Sequence, residues 1–297
     1  MLGLNSYENR VYQVWLEEGA PLVVKFYRPG RWSDAQIGEE HSFALELAER
    51  EVPVVAPLAF NGKTLSRTAE FSFAVYPRRG GRTPNLEDPK ALEWIGRFIG
   101  RIHAVGATSN FKFRESLNIE TFGTGPREWL LKNAAIPADV LDSWKAATEQ
   151  ALEGVSRSFQ RSGKAKQIRL HGDCHPGNIL WTDDGPHFVD LDDARMGPAM
   201  QDLWMLLSGE RDLQGRQMAD LLAGYEQFMD FDRRELHLVE ALRTLRLLHY
   251  SYWIARRWDD PAFPAAFPWF GTQRYWQDRI LELKEQISLM EEPPLSV

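Results

Sequence analysis

The stretch that decides the fold runs from Ile168 to Asp193 and reads IRLHGDCHPGNILWTDDGPHFVDLDD. A short apolar run, Ile168 to Leu170, leads into a polar, glycine-containing loop, His171 to Gly177. A second run, Asn178 to Trp181, is followed by Asp183-Asp184-Gly185, a strong turn signal. A third run, His187 to Val189, delivers Asp190. The pattern predicts two short strands joined by a tight hairpin, with a loop in front. That arrangement brings Asp173, Asn178 and Asp190 to one end of a small sheet.

An amide oxygen and a carboxylate are hard ligands suited to Mg2+, which is held by few protein groups plus substrate phosphates. Asp173, five positions before Asn178, is placed to orient an attacking hydroxyl and accept its proton. This is the layout of kinase phosphoryl transfer. In the common protein kinases the later Asp opens Asp-Phe-Gly. Here Leu191-Asp192 follows Asp190, which points to a kinase-like variant.

HGDCHPGN resembles the catalytic loop of the aminoglycoside phosphotransferase and choline kinase superfamily, and FVDLDDARMGPAMQDLW resembles its metal-binding segment and the helix after it. NSYENRVYQV, VVKFYRPGRW, LHGDCHPGNILW, DLDDARMGPAMQDLWMLL and DPAFPAAFPWF together are similar to a group of bacterial stress-response Ser/Thr protein kinases within that superfamily. The resemblance covers about Asn5 to Pro294. It implies an α+β, bilobal, protein-kinase-like fold, with a small sheet-containing N-lobe (1–77) and a mainly helical C-lobe (78–297). It also implies ATP and Mg2+, a Ser/Thr acceptor on a protein, autophosphorylation and a role in stress survival.

Composition sets bounds. At 297 residues the chain can bury a large core. Net charge of -7 argues against nucleic acid or an anionic membrane as main partner. The single cysteine, Cys174, excludes an intrachain disulfide framework and fits a reducing cytoplasm. No apolar run approaches a membrane span and the first residues show no export signal. A monomer is expected.

Along the chain, the turn around Ser6 is expected to cover ATP phosphates with main-chain N–H groups; the assignment of Ser6 itself comes from the resemblance. An ordinary polar turn is the alternative. The family usually carries a further segment ahead of this turn, so either the gene start is misassigned or the small lobe is shorter here. Val11 to Leu16 and Leu22 to Phe26 read as paired strands. Lys25 is expected to hold the α- and β-phosphates, as the strand lysine of kinases does; a solvent-facing lysine is the bland reading. Ser33-Asp34 caps a helix over about 35–50. Its Glu39 and Glu40 are candidates to pair with Lys25, Glu40 being preferred.

Val52 to Phe60, with Pro53 and Pro57, reads as an irregular edge strand, and Asn61-Gly62 as a hairpin turn. NGKT is no Walker loop, because Pro57 stands where its first glycine belongs. Backbone near Val75 to Pro77 is expected to meet the adenine edge, by likeness to other kinases. Leu92 to His103 forms an amphipathic helix with His103 as a satisfied core or boundary residue. Residues 111–125 read as loop and 126–160 as mostly helical. Helices over about 201–208, 215–229, 234–257 and 274–290 complete the chain.

His171, Asp173, Cys174 and His175 within five residues suggest a transition-metal site, but a structural zinc needs a second ligand cluster that the scattered histidines do not offer. His171 is better read as an anchor of the loop, and Cys174 as either a reactive thiol or merely a small residue in the loop, the latter being preferred. By resemblance Asp202 supports the catalytic loop. Asp192 and Asp193 are extra acids that Arg195 can answer; Asp192 either touches the metal or takes a surface or hydrogen-bonding role, the latter being preferred because of like-charge crowding around Asp190. RRWDDPAFPAAFPWF either lines an acceptor groove or packs as an irregular tail.

Overall fold

The computed structural model describes residues 1–4, 6–68 and 70–297. Contacts divide the chain into two units, Met1–Arg114 with Gln167–Phe231 and Val297, and Glu115–Lys166 with Asp232–Ser296. The expected 77/78 boundary falls inside the first unit. Every candidate site residue also belongs to that unit.

The first unit opens with β1 (Leu2–Leu4), β2 (Arg10–Val14) and β3 (Leu22–Phe26), followed by α1 (Asp34–Glu49), β4 (Ser66–Arg67) and β5 (Ser72–Pro77). The five strands form one antiparallel sheet in the order β1-β2-β3-β5-β4. Register sets Lys25 opposite Val11 on one side and Ala74 on the other. Ser33 caps α1 reciprocally: its hydroxyl accepts from Gln36 N–H at 3.3 Å and its own N–H donates to Gln36 Oε1 at 2.9 Å. The buried face of α1 carries Ile37, Phe43, Ala44 and Leu47, but also Glu40 and His41. Tyr27, Ile37, Ala74 and Tyr76 pack together beneath the sheet.

Residues 52–60 are not a strand. Prolines at 53 and 57 remove two ladder donors. What remains is local: Val54 bridges Phe188, and Leu58 N–H donates to Val75 O at 2.7 Å. Asn61 and Gly62 do turn the chain, at φ 51° and 76°, the two positive angles a tight hairpin demands.

The same unit then contains α2 (Pro89–Gly106), and after residue 167 β6 (Ile168–Leu170), β7 (Ile179–Thr182), β8 (Gly185–Phe188), β9 (Arg195–Gly197) and two helices, Met200–Trp204 and Arg211–Tyr225. β7 and β8 are the anticipated hairpin, with Thr182 opposite Gly185 and Ile179 opposite Phe188. β6 pairs with β9. Gly96 on α2 meets the helix Arg211–Tyr225 at backbone distance: a Cβ there would lie 2.0 Å from Leu221 O.

The second unit is helical. A π-turn, Glu120–Thr124, occupies part of the expected loop, and helices Gly125–Asn133, Ala138–Ser162, Val239–Ala255, Ala262–Ala266 and Gln273–Glu291 follow. Trp144, Trp276, Phe263, Phe267 and Phe270 share its core. The proline-and-aromatic stretch therefore packs, because its phenylalanines are the side chains this unit buries. Among the described residues, no helix is long and apolar enough to cross a membrane.

Gly96→Ala is expected to force α2 from its neighbour and cost about 1–3 kcal/mol, the range for overpacking. A fall in Tm measures it, and an unchanged Tm would contradict the backbone contact.

Candidate active site

The loop between β6 and β7 is built on Asp202. His171 and Gly172 donate their backbone N–H groups to the two oxygens of this carboxylate, both at 2.8 Å. His103 Nε2 lies 3.0 Å from Asp202 Oδ2, and its Nδ1 lies 3.0 Å from the Tyr225 hydroxyl. Burial pushes the Asp202 carboxyl up, but His103 and the Gly172 N–H outweigh it and hold it below the usual range. A buried carboxylate with this many donors stays charged and fixes what it binds. Gly172 has φ +86°, and a Cβ there would stand 2.1 Å from Asp193 O. No other residue fits.

Two further bonds tie the loop to the hairpin. His171 Nε2 donates to Val189 O at 2.9 Å, and Val189 N–H donates to Asn178 O at 3.0 Å. His171 is thus a fully buried anchor. Asn178 Nδ2 donates to Asp173 O at 2.9 Å, which commits the amide nitrogen and leaves the acceptor Oδ1 for another partner. The Asp173 carboxylate is partly exposed, with His175 Nε2 3.6 Å from Oδ2. Cys174 is fully buried, and burial pushes its thiol well above the ordinary range, so it packs as a small residue.

Asp190 adopts the left-handed conformation, φ 61° and ψ 61°, uncommon for a residue other than glycine. Its side chain is 50% exposed, and Oδ1 lies 2.7 Å from Lys25 Nζ. Lys25 is buried, with the rings of Tyr27 and Tyr76 each 5.7 Å from Nζ. Burial works to lower its pKa, but Asp190 and Asp192 overcome this and keep it charged. The donor set at Asn178 and Asp190, one amide oxygen and one half-exposed carboxylate, fits a hard divalent cation completed by phosphate oxygens. Among the described residues no group of three or more His, Cys, Asp or Glu is arranged to hold a metal ion.

The two glutamates of α1 do different things. Glu39 accepts from the backbone N–H groups of Lys112, Phe113 and Arg114, at 2.5, 2.9 and 3.0 Å. Glu40 points inward and is 2% exposed. Burial raises its pKa to about 7, against the pull of Lys25 and Arg114. Lys25 has its close ion pairs with Asp190 and Asp192 rather than with Glu40. Ser6 is exposed, and its hydroxyl accepts from Asn9 N–H at 3.3 Å. Asn5, the first residue of that turn segment, lies outside the described residues.

Residue spacing gave no role to Arg31, Asn9 or Arg114, which hold the acids after Asp190. Arg31 pairs with Asp192 and with Asp193, the latter at 2.9 Å. Asn9 Nδ2 donates to Asp192 Oδ2 at 3.0 Å. Arg114 Nη1 donates to Asp192 O at 2.7 Å and Ala194 O at 2.9 Å. Arg195 answers Asp193 at 2.6 Å, as its position suggested. Arg31 and Asn9 lie inside two of the quoted motifs, VVKFYRPGRW and NSYENRVYQV, which were the available signals.

The Glu40 environment has a pH signature. Its charged form is disfavoured in the fold, so the cost appears as pH rises through 4.5 and is complete above about 7. Glu40→Gln is expected to match wild type in stability below pH 4.5 and to exceed it by up to about 3 kcal/mol at pH 8. Tm measured across pH checks this, and a difference that does not grow with pH would contradict it.

Comparison with known proteins places the geometry in a lineage. The family described as "Phosphotransferase enzyme family" matches residues 2–239. "Stress response kinase A" of Salmonella choleraesuis (strain SC-B67) is 47% identical over 99% of this chain and 89% of its own. "Serine/threonine protein kinase RdoA" of Salmonella typhimurium (strain LT2) has the same identity and coverage. Among solved structures, an amicoumacin kinase in complex with AMP-PNP, Ca2+ and Ami superposes with TM-score 0.74 at 18% identity, covering 99% of this chain and 89% of its own. A microcompartment-associated aminopropanol kinase gives 0.70 at 17%, covering 97% and 90%. These structural likenesses show the kinase-like α+β fold, with its sheet-containing N-lobe and helical C-lobe. Matched over most of its length by that family and by relatives named as kinases, the chain belongs to the phosphotransferase enzyme family, and it is a kinase.

Proposed function

We propose that this kinase transfers the γ-phosphoryl group of ATP, with Mg2+, to a Ser or Thr hydroxyl on a protein, itself included, as part of a bacterial stress response in the cytoplasm. The observation that carries the chemistry is the bonded frame joining Asp173, Asn178 and Asp190, with Lys25 2.7 Å from Asp190. The relatives' printed names support the acceptor class and the stress role. Residues 1–77 are read as the nucleotide lobe and 78–297 as the catalytic and acceptor lobe.

Each residue has a task in that reading. Lys25 binds the α- and β-phosphates, and Ser6 with the main chain of its turn covers them. Glu40 stabilises the Lys25 charge from α1. Asn178 and Asp190 would hold Mg2+, which supplies charge neutralisation on the phosphates. Asp173 orients the acceptor hydroxyl and takes its proton as the oxygen bonds to the γ-phosphorus. The bond from that phosphorus to the β–γ bridging oxygen breaks, and ADP departs. Positioning and charge stabilisation do most of the work.

With labelled ATP and Mg2+, label is expected on Ser or Thr of a basic protein substrate or of the chain itself. Asp173→Ala is expected to lower the rate by about 10²–10⁴, the usual range for a general base. Label appearing only on aminoglycosides, choline or sugars would instead assign a small-molecule acceptor. Absence of both transfer and ATP binding would reduce the chain to an interaction module.

A further inference from the structure

Asp192 occupies a position none of the tasks above uses. It is 3% exposed, two residues after half-exposed Asp190. Its Oδ2 is committed to Arg31 and to Asn9. Its Oδ1 is buried without a hydrogen-bond partner among the described residues, and so is Glu40 Oε2. A buried carboxylate oxygen lacking a donor costs about 1–3 kcal/mol, so a donor that reaches it is favoured strongly. Lys25 Nζ stands 3.7 Å from Asp192 Oδ1, about 1 Å beyond hydrogen-bond length. At present Lys25 bonds to Asp190 at 2.7 Å.

A cation engaging Asp190 competes with Lys25 for the same carboxylate. The ammonium must then find another anion without leaving its place between Tyr27 and Tyr76. Asp192 Oδ1 is the nearest such group, and its own Oδ2 bonds prevent it from swinging away. The same carboxylate, through Asn9, reaches the turn that carries Ser6: Asn9 Oδ1 accepts from Arg28 N–H at 3.1 Å, so its amide is held from both ends.

Resting on the kinase reading above, we propose that Asp192 is a positioning residue: it anchors Lys25 when a divalent cation occupies Asp190, and ties the Ser6–Asn9 turn to the same frame through Asn9. It does not ligate the metal. Burial and its two committed donors separate it from Asp190, which has the exposure a metal ligand needs.

The test is ATP binding and steady-state kinetics of Asp192→Asn. The amide oxygen can still accept from Asn9 and Arg31, while the charge facing Lys25 is lost. The KM for ATP and the Kd for ATP titrated with Mg2+ are expected to rise about tenfold, as for loss of one charge-assisted contact, with kcat falling less than about threefold, while the Kd titrated without Mg2+, where Asp190 still holds Lys25, changes little. The Mg2+ concentration for half-maximal activity rises, because Lys25 without the Asp192 charge holds on to Asp190 against the cation. In a Lys25→Met background the same substitution has no further effect on ATP binding, which a merely structural role would not produce. An unchanged KM for ATP, an unchanged Mg2+ requirement, or full additivity with Lys25→Met would overturn the proposal. If Asp192→Asn does not fold, Asn9→Ala carries the test: it releases the turn from Asp192, and an unaltered KM for ATP there overturns the tie. Wild type that binds no ATP would instead sink the kinase reading itself.

Discussion

A buried ammonium survives in a protein only beside a carboxylate, and Lys25 is such an ammonium. Its strand and the two tyrosine rings remove it from water. The cost of that burial is met by Asp190 and Asp192, contributed by a segment 165 and 167 positions further on. The pair fixes the sheet against the segment that follows β8. It also sets two opposite charges side by side, which suits a ligand that is anionic at one end and carries a cation at the other.

The carboxylates can do this because the chain behind them is rigid. Asp202 draws two consecutive backbone N–H groups and a histidine onto one buried charge. His171 passes the constraint across to Val189, one residue before Asp190. The left-handed backbone at Asp190 then turns its side chain toward Lys25. Groups that must act together are thereby joined through backbone bonds rather than through flexible side chains, which is what preorganised catalysis requires.

The parts of this arrangement legible in the sequence were the local ones. The hairpin of β7 and β8 announced itself by a turn signal between apolar runs, and the start of α1 by its cap, Ser33-Asp34. Residues 52–60 misled because apolar content suggested a strand while Pro53 and Pro57 forbade its ladder. The Asp192 cluster was not legible, since Asn9 and Asp192 are 183 positions apart and Arg31 and Asp192 are 161 apart. Neither periodicity nor spacing links such residues. The choice between Glu39 and Glu40 was likewise beyond pattern reading: adjacent residues on a helix differ by about 100° in direction, and only the fold shows which one turns inward.

The account stands on Asp190 being shared between Lys25 and a divalent cation. Calorimetric titration of ATP, with and without Mg2+, into wild type and Asp190→Ala tests this most directly. Mg2+ should tighten ATP binding to wild type and lose most of that effect in Asp190→Ala, while Mg2+-free ATP still binds the variant through Lys25. Equal tightening by Mg2+ in both proteins would contradict the account.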